Sequence, residues 1–537
     1  MKNLTKFLLL AAIVMFAACR KSDETHSLTP DSFTYDVEAT AGTVTINFKS
    51  NVKDYTVQTE CEWIRISAKS ANSITVAVSA NEETSVRGAE IRFYDGETLL
   101  NKVVIKQKAA AATIKLGSNK IDVDASTTYL EFNFEANFEY IAEVSESWMS
   151  LKPFTKLIEV STITLYLKPN NDNTGRTGYV TIKDKSSQKE MAKVEIAQAA
   201  PVYKGFYFVN EGQWGKNNAS MGYFDFSTSQ MTNSWWQTIN PTVRGSLGDV
   251  ANDVVADGQW LLVVVNSSNL LEICNRDGKH LGEVEIPNCR MVAVDGDIAY
   301  VTSYANDGYV AKVDLEQKKV VATCQTGYEP EGLALLGGKL YVINSCSYHT
   351  DFTGGGNNEI SSVSIINTES FTETERVSLG IVNAYSAATV MPDGKSLFIN
   401  SSGDYNSIAA TSIIFDTATK TVTKNFGFGG TYACVYNSKL YIFETSFSYT
   451  TFEWENNNCV YDPATGTISD FPIDEEEFYT YGAPSGIWIN PVNGDIYIAD
   501  KGNYVSPAFL YRYDKDGEEV AKYDVGVCPG HLAWDWR

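Results

Sequence analysis

From residue 203 onward an apolar triplet recurs seven times, at a spacing of roughly 40–55 residues. The copies are Phe206-Tyr207-Phe208, Leu261-Leu262-Val263, Ala299-Tyr300-Val301, Leu340-Tyr341-Val342, Leu397-Phe398-Ile399, Leu440-Tyr441-Ile442 and Ile496-Tyr497-Ile498. A repeat of that length is one four-stranded propeller blade, which cannot bury its faces alone and must stack on neighbours. Tight-turn pairs precede five of the triplets: Asp257-Gly258, Asp295-Gly296, Gly337-Gly338, Asp393-Gly394 and Asn493-Gly494. Each is a hairpin signal between the first and second strands of a blade. The first unit lacks an innermost strand, because Tyr203-Lys204-Gly205 runs directly into Phe206. The last unit, 483–527, is complete, yet ten more residues follow from Cys528 to Arg537. The surplus strand at one end matches the missing strand at the other. A ring closed that way leaves no open sheet edge. Residues 202–537 therefore read as a seven-bladed β-propeller closed by its N- and C-terminal strands.

Ahead of it, residues 26–110 and 111–201 superimpose as two copies of one pattern. Trp63-Ile64 precedes Asn81, Arg87 and Gln107, and Trp148-Met149 precedes Asn170, Arg176 and Gln198. Period-2 stretches such as Val44-Thr45-Ile46-Asn47-Phe48 and Ile163-Thr164-Leu165-Tyr166-Leu167 predict short antiparallel strands. Each copy reads as a small β-sandwich, so the whole chain is all-β. Trp63 and Trp148 are expected in the cores, and Arg87 and Arg176 as loop anchors. The Trp, the Asn…Arg pair and the terminal Gln resemble the BACON domain, which implies a spacer raising the propeller off a membrane.

The N-terminus carries Lys2 and Lys6, the apolar run Phe7 to Phe16, then Ala17-Ala18-Cys19. That is the layout of a secretory signal, and the run is too short to span a bilayer. The junction resembles a bacterial lipobox. Residues 1–18 are read as a signal peptide, Cys19 as the lipidated residue and 19–25 as a tether. Asp23 and Glu24 resemble the surface-export signal of Bacteroidetes lipoproteins, which implies the outer membrane, facing the exterior. The net charge of −23 argues against nucleic acid and anionic membrane surfaces as partners, leaving membrane contact to the lipid alone. Nine cysteines show no CxxC spacing, and only four histidines are present, so no metal site or cofactor is expected. Export permits disulfides, but spacing does not pair them.

In a propeller, the loops between second and third strands share one face with the loops linking successive blades. The first set carries Trp214, Tyr304, Tyr348, Tyr405, Tyr449 and Tyr504, and the second Tyr328, Tyr385, Tyr432 and Tyr481. Arg244, Asn266 and Asn344 stand beside them. Tyrosine offers a flat contact with a hydrogen-bonding tip, as ligand surfaces use. These residues are the candidate ligand site. No Ser-His-Asp order, HExxH or phosphate loop is present, and the run Asp474-Glu475-Glu476-Glu477 reads as a solvated loop. A non-enzymatic binder is expected. For the alternative of a propeller lactonase or lyase, Glu211, Asn344, Asp500 and His531 are the residues that could be fitted to the catalytic roles.

Asn210-Glu211-Gly212, Asn218-Ala219-Ser220, Leu247-Gly248-Asp249-Val250, Val265-Asn266-Ser267-Ser268 and Pro529-Gly530…Trp534 resemble a family of Bacteroidetes surface propeller lipoproteins, YncE-like in fold. That family includes vitamin B12-capturing propellers seated over TonB-dependent transporters. The resemblance implies a corrinoid ligand and a TonB-dependent transporter partner, with a surface glycan as the alternative ligand. The insertion Gly354-Gly355-Gly356-Asn357-Asn358 departs from the pattern in one loop.

Overall fold

The computed structural model describes residues 25–152, 161–170, 172, 174–346, 360–385, 387–404, 408–448, 453–474 and 483–537. The signal peptide, Cys19, the tether up to residue 24, the glycine-rich insertion, and Tyr348, Tyr405, Tyr449 and Tyr481 lie outside them.

Each N-terminal sandwich is two four-stranded sheets. In the first, Leu28–Pro30, Gly42–Ser50, Ser73–Val78 and Ile64–Lys69 lie side by side over a sheet of Thr34–Val37, Thr98–Gln107, Arg87–Asp95 and Thr56–Gln58. The alternating residues Ile74, Val76, Ile91, Phe93, Val103 and Ile105 all point into the core. The second sandwich repeats this plan. In both copies one short strand pairs parallel: Thr34–Val37 against Thr98–Gln107, and Lys120–Val123 against Glu190–Gln198.

The tryptophans are not fully enclosed. Each packs on the edge of its core and is capped by an arginine, Arg87 4.4 Å over Trp63 and Arg176 4.5 Å over Trp148. The arginines are tied down as well. Arg87 donates to Gln107 Oε1 (2.8 Å) and to the carbonyls of Ser79 and Ala80, and Arg176 donates to Gln198 Oε1 (2.9 Å) and to the Lys168 and Pro169 carbonyls. The repeated Trp, Arg and Gln thus form a structural lock.

The rest of the described residues form seven four-stranded sheets, plus a short hairpin of Thr445–Ser448 with Glu453–Asn456 in blade 6. From blade 1 to blade 7 the innermost strands are Pro529–Trp536, Ala251–Asp257, Cys289–Asp295, Pro330–Leu336, Thr389–Val390, Tyr432–Tyr436 and Pro484–Ile489. The apolar triplets lie on the second strands, which are buried on both faces and so read as continuous hydrophobic runs rather than alternations. The ring closes in blade 1, where Pro529–Trp536 pairs antiparallel with Tyr203–Asn210, Phe206 opposite Trp534 and Phe208 opposite Leu532. Arg276 of blade 2 seals that joint: its guanidinium, 6% exposed, donates to Asp535 Oδ1 (3.0 Å), to the Trp536 carbonyl (2.8 Å) and to the Gly258 carbonyl (3.1 Å). Tyr223 donates to the other Asp535 oxygen at 2.9 Å. The eight cysteines after Cys19 are free thiols.

Candidate functional site

The innermost strands begin at the end of the propeller where the blade-linking loops enter. At that end the strand pattern is broken. The register against the second strand shifts at Ala251/Asp253, Cys289/Val292, Pro330/Leu333, Pro484/Gly486 and, in blade 1, between Pro529 and His531. Each shift is a β-bulge, which inserts one extra residue and re-aims side chains. The bulged positions include Asn252, Arg290, Glu331, Ser485 and Gly530. Just before four of these strands a non-glycine residue is left-handed: Val250 (φ 56), Asn288 (φ 49), Glu329 (φ 52) and Cys528 (φ 51). Such backbone is costly for a β-branched valine.

The bulges open onto a cavity of about 450 Å³. All seven blades line it: His531, Asp253, Arg290, Leu333, Thr389, Tyr432 and Ser485, one from each, with Glu211, Tyr385, Trp488 and Lys501 completing the wall. The cavity therefore lies on the propeller axis.

Two ion-paired clusters reach it, the first through Arg290 and Tyr385 with Glu331 and Tyr304 behind them. In the first, Arg290 from the blade 3 bulge reaches Glu331 in the blade 4 bulge, its Nε and Nη2 lying 3.3 and 3.2 Å from Oε2. Nη2 also donates to the Tyr385 hydroxyl at 2.7 Å. The guanidinium lies 4.9 Å from the Tyr304 ring and 5.6 Å from that of Tyr385. Glu331 is fully buried, and its Oε1 has no partner among the described residues. Burial pushes the Glu331 carboxyl up, and Arg290 opposes that shift.

In the second cluster, Glu211 and Lys501 stand one residue past the triplet strands of blades 1 and 7. Their charged atoms meet at 2.8 Å, and His531 Nε2 lies 3.5 Å from the same Glu211 oxygen. Burial alone would raise the Glu211 pKa, but His531 and Lys501 hold it down at about 2. Burial likewise works against the Lys501 ammonium, and Glu211 and Tyr432 more than reverse it. Asp253 faces the same space and, among the described residues, accepts main-chain N–H groups alone, from Val254 (2.9 Å) and Val292 (3.0 Å). Its burial raises its pKa.

Of the aromatic residues expected at this face, Tyr385 and Tyr432 line the cavity and Tyr304 backs Arg290. Trp214, 82% exposed, and Tyr504, 55% exposed, stand in the loops that carry Glu211 and Lys501. Tyr328 lies in the loop before Pro330–Leu336 and does not line the cavity. The three polar candidates are committed elsewhere. Arg244 pairs with Glu272 and Glu283 and covers the Trp236 ring, fastening blade 1 to blade 2. Asn266 donates to Asn288 Oδ1 and the Cys289 carbonyl, bracing the next blade's entry. Asn344 is fully buried inside blade 4, donating to Ser362 and Ser364 hydroxyls at 3.0 and 2.9 Å. Of the residues a propeller enzyme would need, Glu211 and His531 come together. Asp500 accepts from the backbone N–H groups of Ala483 and Gly502.

Asp253, Arg290, Glu331 and Lys501 were not legible as site residues. A signal was present: Pro330-Glu331-Gly332-Leu333, Pro484-Ser485-Gly486-Ile487 and Pro529-Gly530-His531-Leu532 recur at the start of innermost strands. Proline and glycine flanking a strand entry mark a bulge. Among the described residues no group of three or more His, Cys, Asp or Glu is placed to hold a metal.

The architecture defines an all-β, multi-domain protein in which two sandwich modules precede a propeller with an axial cavity. Family comparison agrees on the modules: the Viral BACON domain family matches residues 25–110, and the BACON family described as "Putative binding domain, N-terminal" matches 138–199. No curated protein matches in sequence. Solved structures similar in fold include Kuenenia stuttgartiensis hydrazine synthase, at 19% identity and a TM-score of 0.44, covering 53% of this chain and 89% of that one. A quinonprotein alcohol dehydrogenase-like protein from Bacteroides thetaiotaomicron aligns over 79% of this chain and 100% of its own, at 13% identity and a TM-score of 0.43. BamB from Moraxella catarrhalis aligns over 52% and 89%, at 10% identity and a TM-score of 0.34.

Proposed function

We propose that this protein is a non-enzymatic ligand-capture lipoprotein on the cell exterior, holding a ligand at the axial mouth of its propeller and presenting it to a TonB-dependent transporter. The observation that carries this reading is the cavity itself: every blade contributes to it, and exposed Trp214 and Tyr504 stand in the loops beside it. A concave site with aromatic walls and a few convergent polar groups is the usual form of a small-molecule site. A corrinoid is the first ligand, by the resemblance of the propeller motifs. A whole corrinoid is larger than a cavity of about 450 Å³, so its macrocycle would lie across the mouth beside Trp214 and Tyr504 with a polar arm inside. A surface glycan is the second, because the cavity's size suits the end of an oligosaccharide. Glu211, the carboxylate beside His531, is ion-paired to Lys501 at 2.8 Å and held at about 2, so it is not poised as a general base. A general base works best with a pKa near the operating pH.

Calorimetry on the mature chain with cyanocobalamin and a glycan panel tests the reading. Trp214→Ala should weaken binding by about 1–4 kcal/mol, as loss of an aromatic anchor does. No heat with any corrinoid removes the lead ligand, and an unchanged affinity in the variant places the ligand elsewhere. The lysines, apolar run and Ala-Ala-Cys junction at the N-terminus support the anchor. Cys19→Ala should abolish incorporation of labelled fatty acid, and equal labelling of variant and wild type would end the lipoprotein reading.

A further inference from the structure

We infer that the axial cavity selects an uncharged group able both to donate and to accept hydrogen bonds, a primary amide or a pair of hydroxyls, and that Glu331 and Glu211 make it reject anions. The inference rests on the ligand-capture reading above and concerns what that site admits.

The charges facing the cavity decide the matter. Among the described residues two permanent cations reach it, Arg290 and Lys501. Both arrive neutralised, Arg290 by Glu331 at 3.2 Å and Lys501 by Glu211 at 2.8 Å. His531 shares Glu211 with Lys501. A third carboxyl, Asp253, lines the wall; among the described residues it makes no ion pair and its hydrogen bonds come from main-chain N–H groups, with His531 close enough to act on its charge. Among the described residues a carboxylate or phosphate entering here meets no unmatched permanent cation and two wall carboxyl groups, Glu211 and Asp253, with Glu331 behind Arg290. Away from bulk water such like-charge encounters are expensive, and specificity is often built from them.

Hydrogen-bonding capacity points the same way. Arg290 uses Nε and Nη2 on Glu331 and Tyr385, and its Nη1 has no protein partner among the described residues. Lys501 gives one bond, to Glu211, which leaves ammonium protons for a ligand. These are donors without net charge to offer, because their carboxylates stay attached. Glu211 and Asp253 supply acceptor oxygens on the same wall. An amide or a diol satisfies donors and acceptors together, whereas an anion offers acceptors alone. A site whose polar groups are built for one hydrogen-bonding pattern discriminates strongly against a group that cannot complete it. Both ligands proposed above carry the required chemistry, the corrinoid in its amide arms and a neutral glycan in its hydroxyls.

The test is calorimetry on the mature chain with matched pairs: cyanocobalamin against its monocarboxylic acid, and a neutral oligosaccharide against its uronate-terminated counterpart, with inorganic phosphate as a bare anion. The neutral member of whichever pair binds should be preferred by at least about tenfold. Glu331→Gln and Glu211→Gln each release one cation, so each should bring that ratio toward one. Two variants are used so that a failure of one to fold, checked by melting, leaves the other as the reading. An acid bound as tightly as its neutral partner, or a ratio unchanged in a folded variant, overturns the inference. Phosphate or uronate binding without any neutral ligand overturns it while leaving ligand capture standing. No binding of any probe, neutral or anionic, overturns both.

Discussion

The sandwiches and the propeller treat buried polar side chains in opposite ways. In each sandwich the repeated set is closed on itself. Asn81 donates to the Ser85 and Lys108 carbonyls, Gln107 to Ala39 and Ser79, and Arg87 to Gln107 and two carbonyls. Asn170, Gln198 and Arg176 repeat the arrangement. These groups hold loops, and their hydrogen bonds are made within the domain. On the propeller axis the polar groups are only partly matched. Behind the cavity wall Glu331 Oε1 and the Tyr304 hydroxyl are buried without partners among the described residues, and bulged backbone presents Asn252, Arg290 and Ser485 to the cavity. On the cavity wall itself Arg290 Nη1 and the Lys501 ammonium keep donors that no described residue takes. The contrast separates residues that build the scaffold from residues poised for a ligand.

The strongest way to break the comparison is at the propeller's closure. Deleting residues 530–537 removes most of the inner strand of blade 1 and should abolish the cooperative propeller transition while the sandwich transition stays in place. Arg276→Met is the milder form. It takes from Asp535, 2% exposed, the closer of its two cations, with Arg537 left at 3.4 Å, and should cost up to about 3 kcal/mol, the lower end of the range for breaking a buried pair. Calorimetric scans resolve the two transitions. A propeller transition that does not move would show that the terminal strand is not what closes the ring.

A pH series sharpens the comparison at the axis. Glu211 titrates near 4.5 when unperturbed and at about 2 in the folded chain. A depressed carboxylate adds stability that is fully present above about pH 4.5 and is lost as pH falls toward 2. The contribution is of order 3 kcal/mol at most. Lys501→Met should remove the part of that acid sensitivity that His531 does not supply, read as the difference between variant and wild-type urea midpoints from pH 2.5 to 6. Parallel curves would mean that the Lys501 pair does not set the Glu211 charge.

The smallest effects belong to the sandwiches. Arg87→Ala and Arg176→Ala should each lower the stability of their own domain by about 1–3 kcal/mol, the cost of leaving hydrogen-bonded groups unmet. Neither should alter ligand affinity. A loss of affinity in either variant would make the sandwiches part of the binding surface and end their reading as spacers.

The fold was legible because its determinants are local. A triplet such as Leu340-Tyr341-Val342 reports a strand buried on both faces, and Gly337-Gly338 ahead of it reports the hairpin that places it. The missing first strand and the surplus last one could be matched by counting. The site was legible only in part. Tyr385 and Tyr432 could be placed on the correct face from loop order. Arg244 was misread because its partners, Glu272 and Glu283, lie 28 and 39 residues away on a neighbouring blade. Asn344 was misread because the last residue of a second strand can turn into its own blade instead of toward the loops.

By itself, then, the sequence determined the all-β class, the two sandwiches, the seven blades and the matching of the chain's surplus strand to its missing one. Periodicity and turn chemistry act over a few residues, and a ring of like units follows from their repetition. Only the tertiary structure decided which polar residues meet on the axis. Arg290 and Glu331 are 41 residues apart, and Glu211 and Lys501 are 290 apart. Each pair faces across adjacent blades because bulges and loop starts from separate sheets converge there, and ring closure brings blade 7 beside blade 1. That convergence is a property of the closed ring, which no single segment of the chain contains.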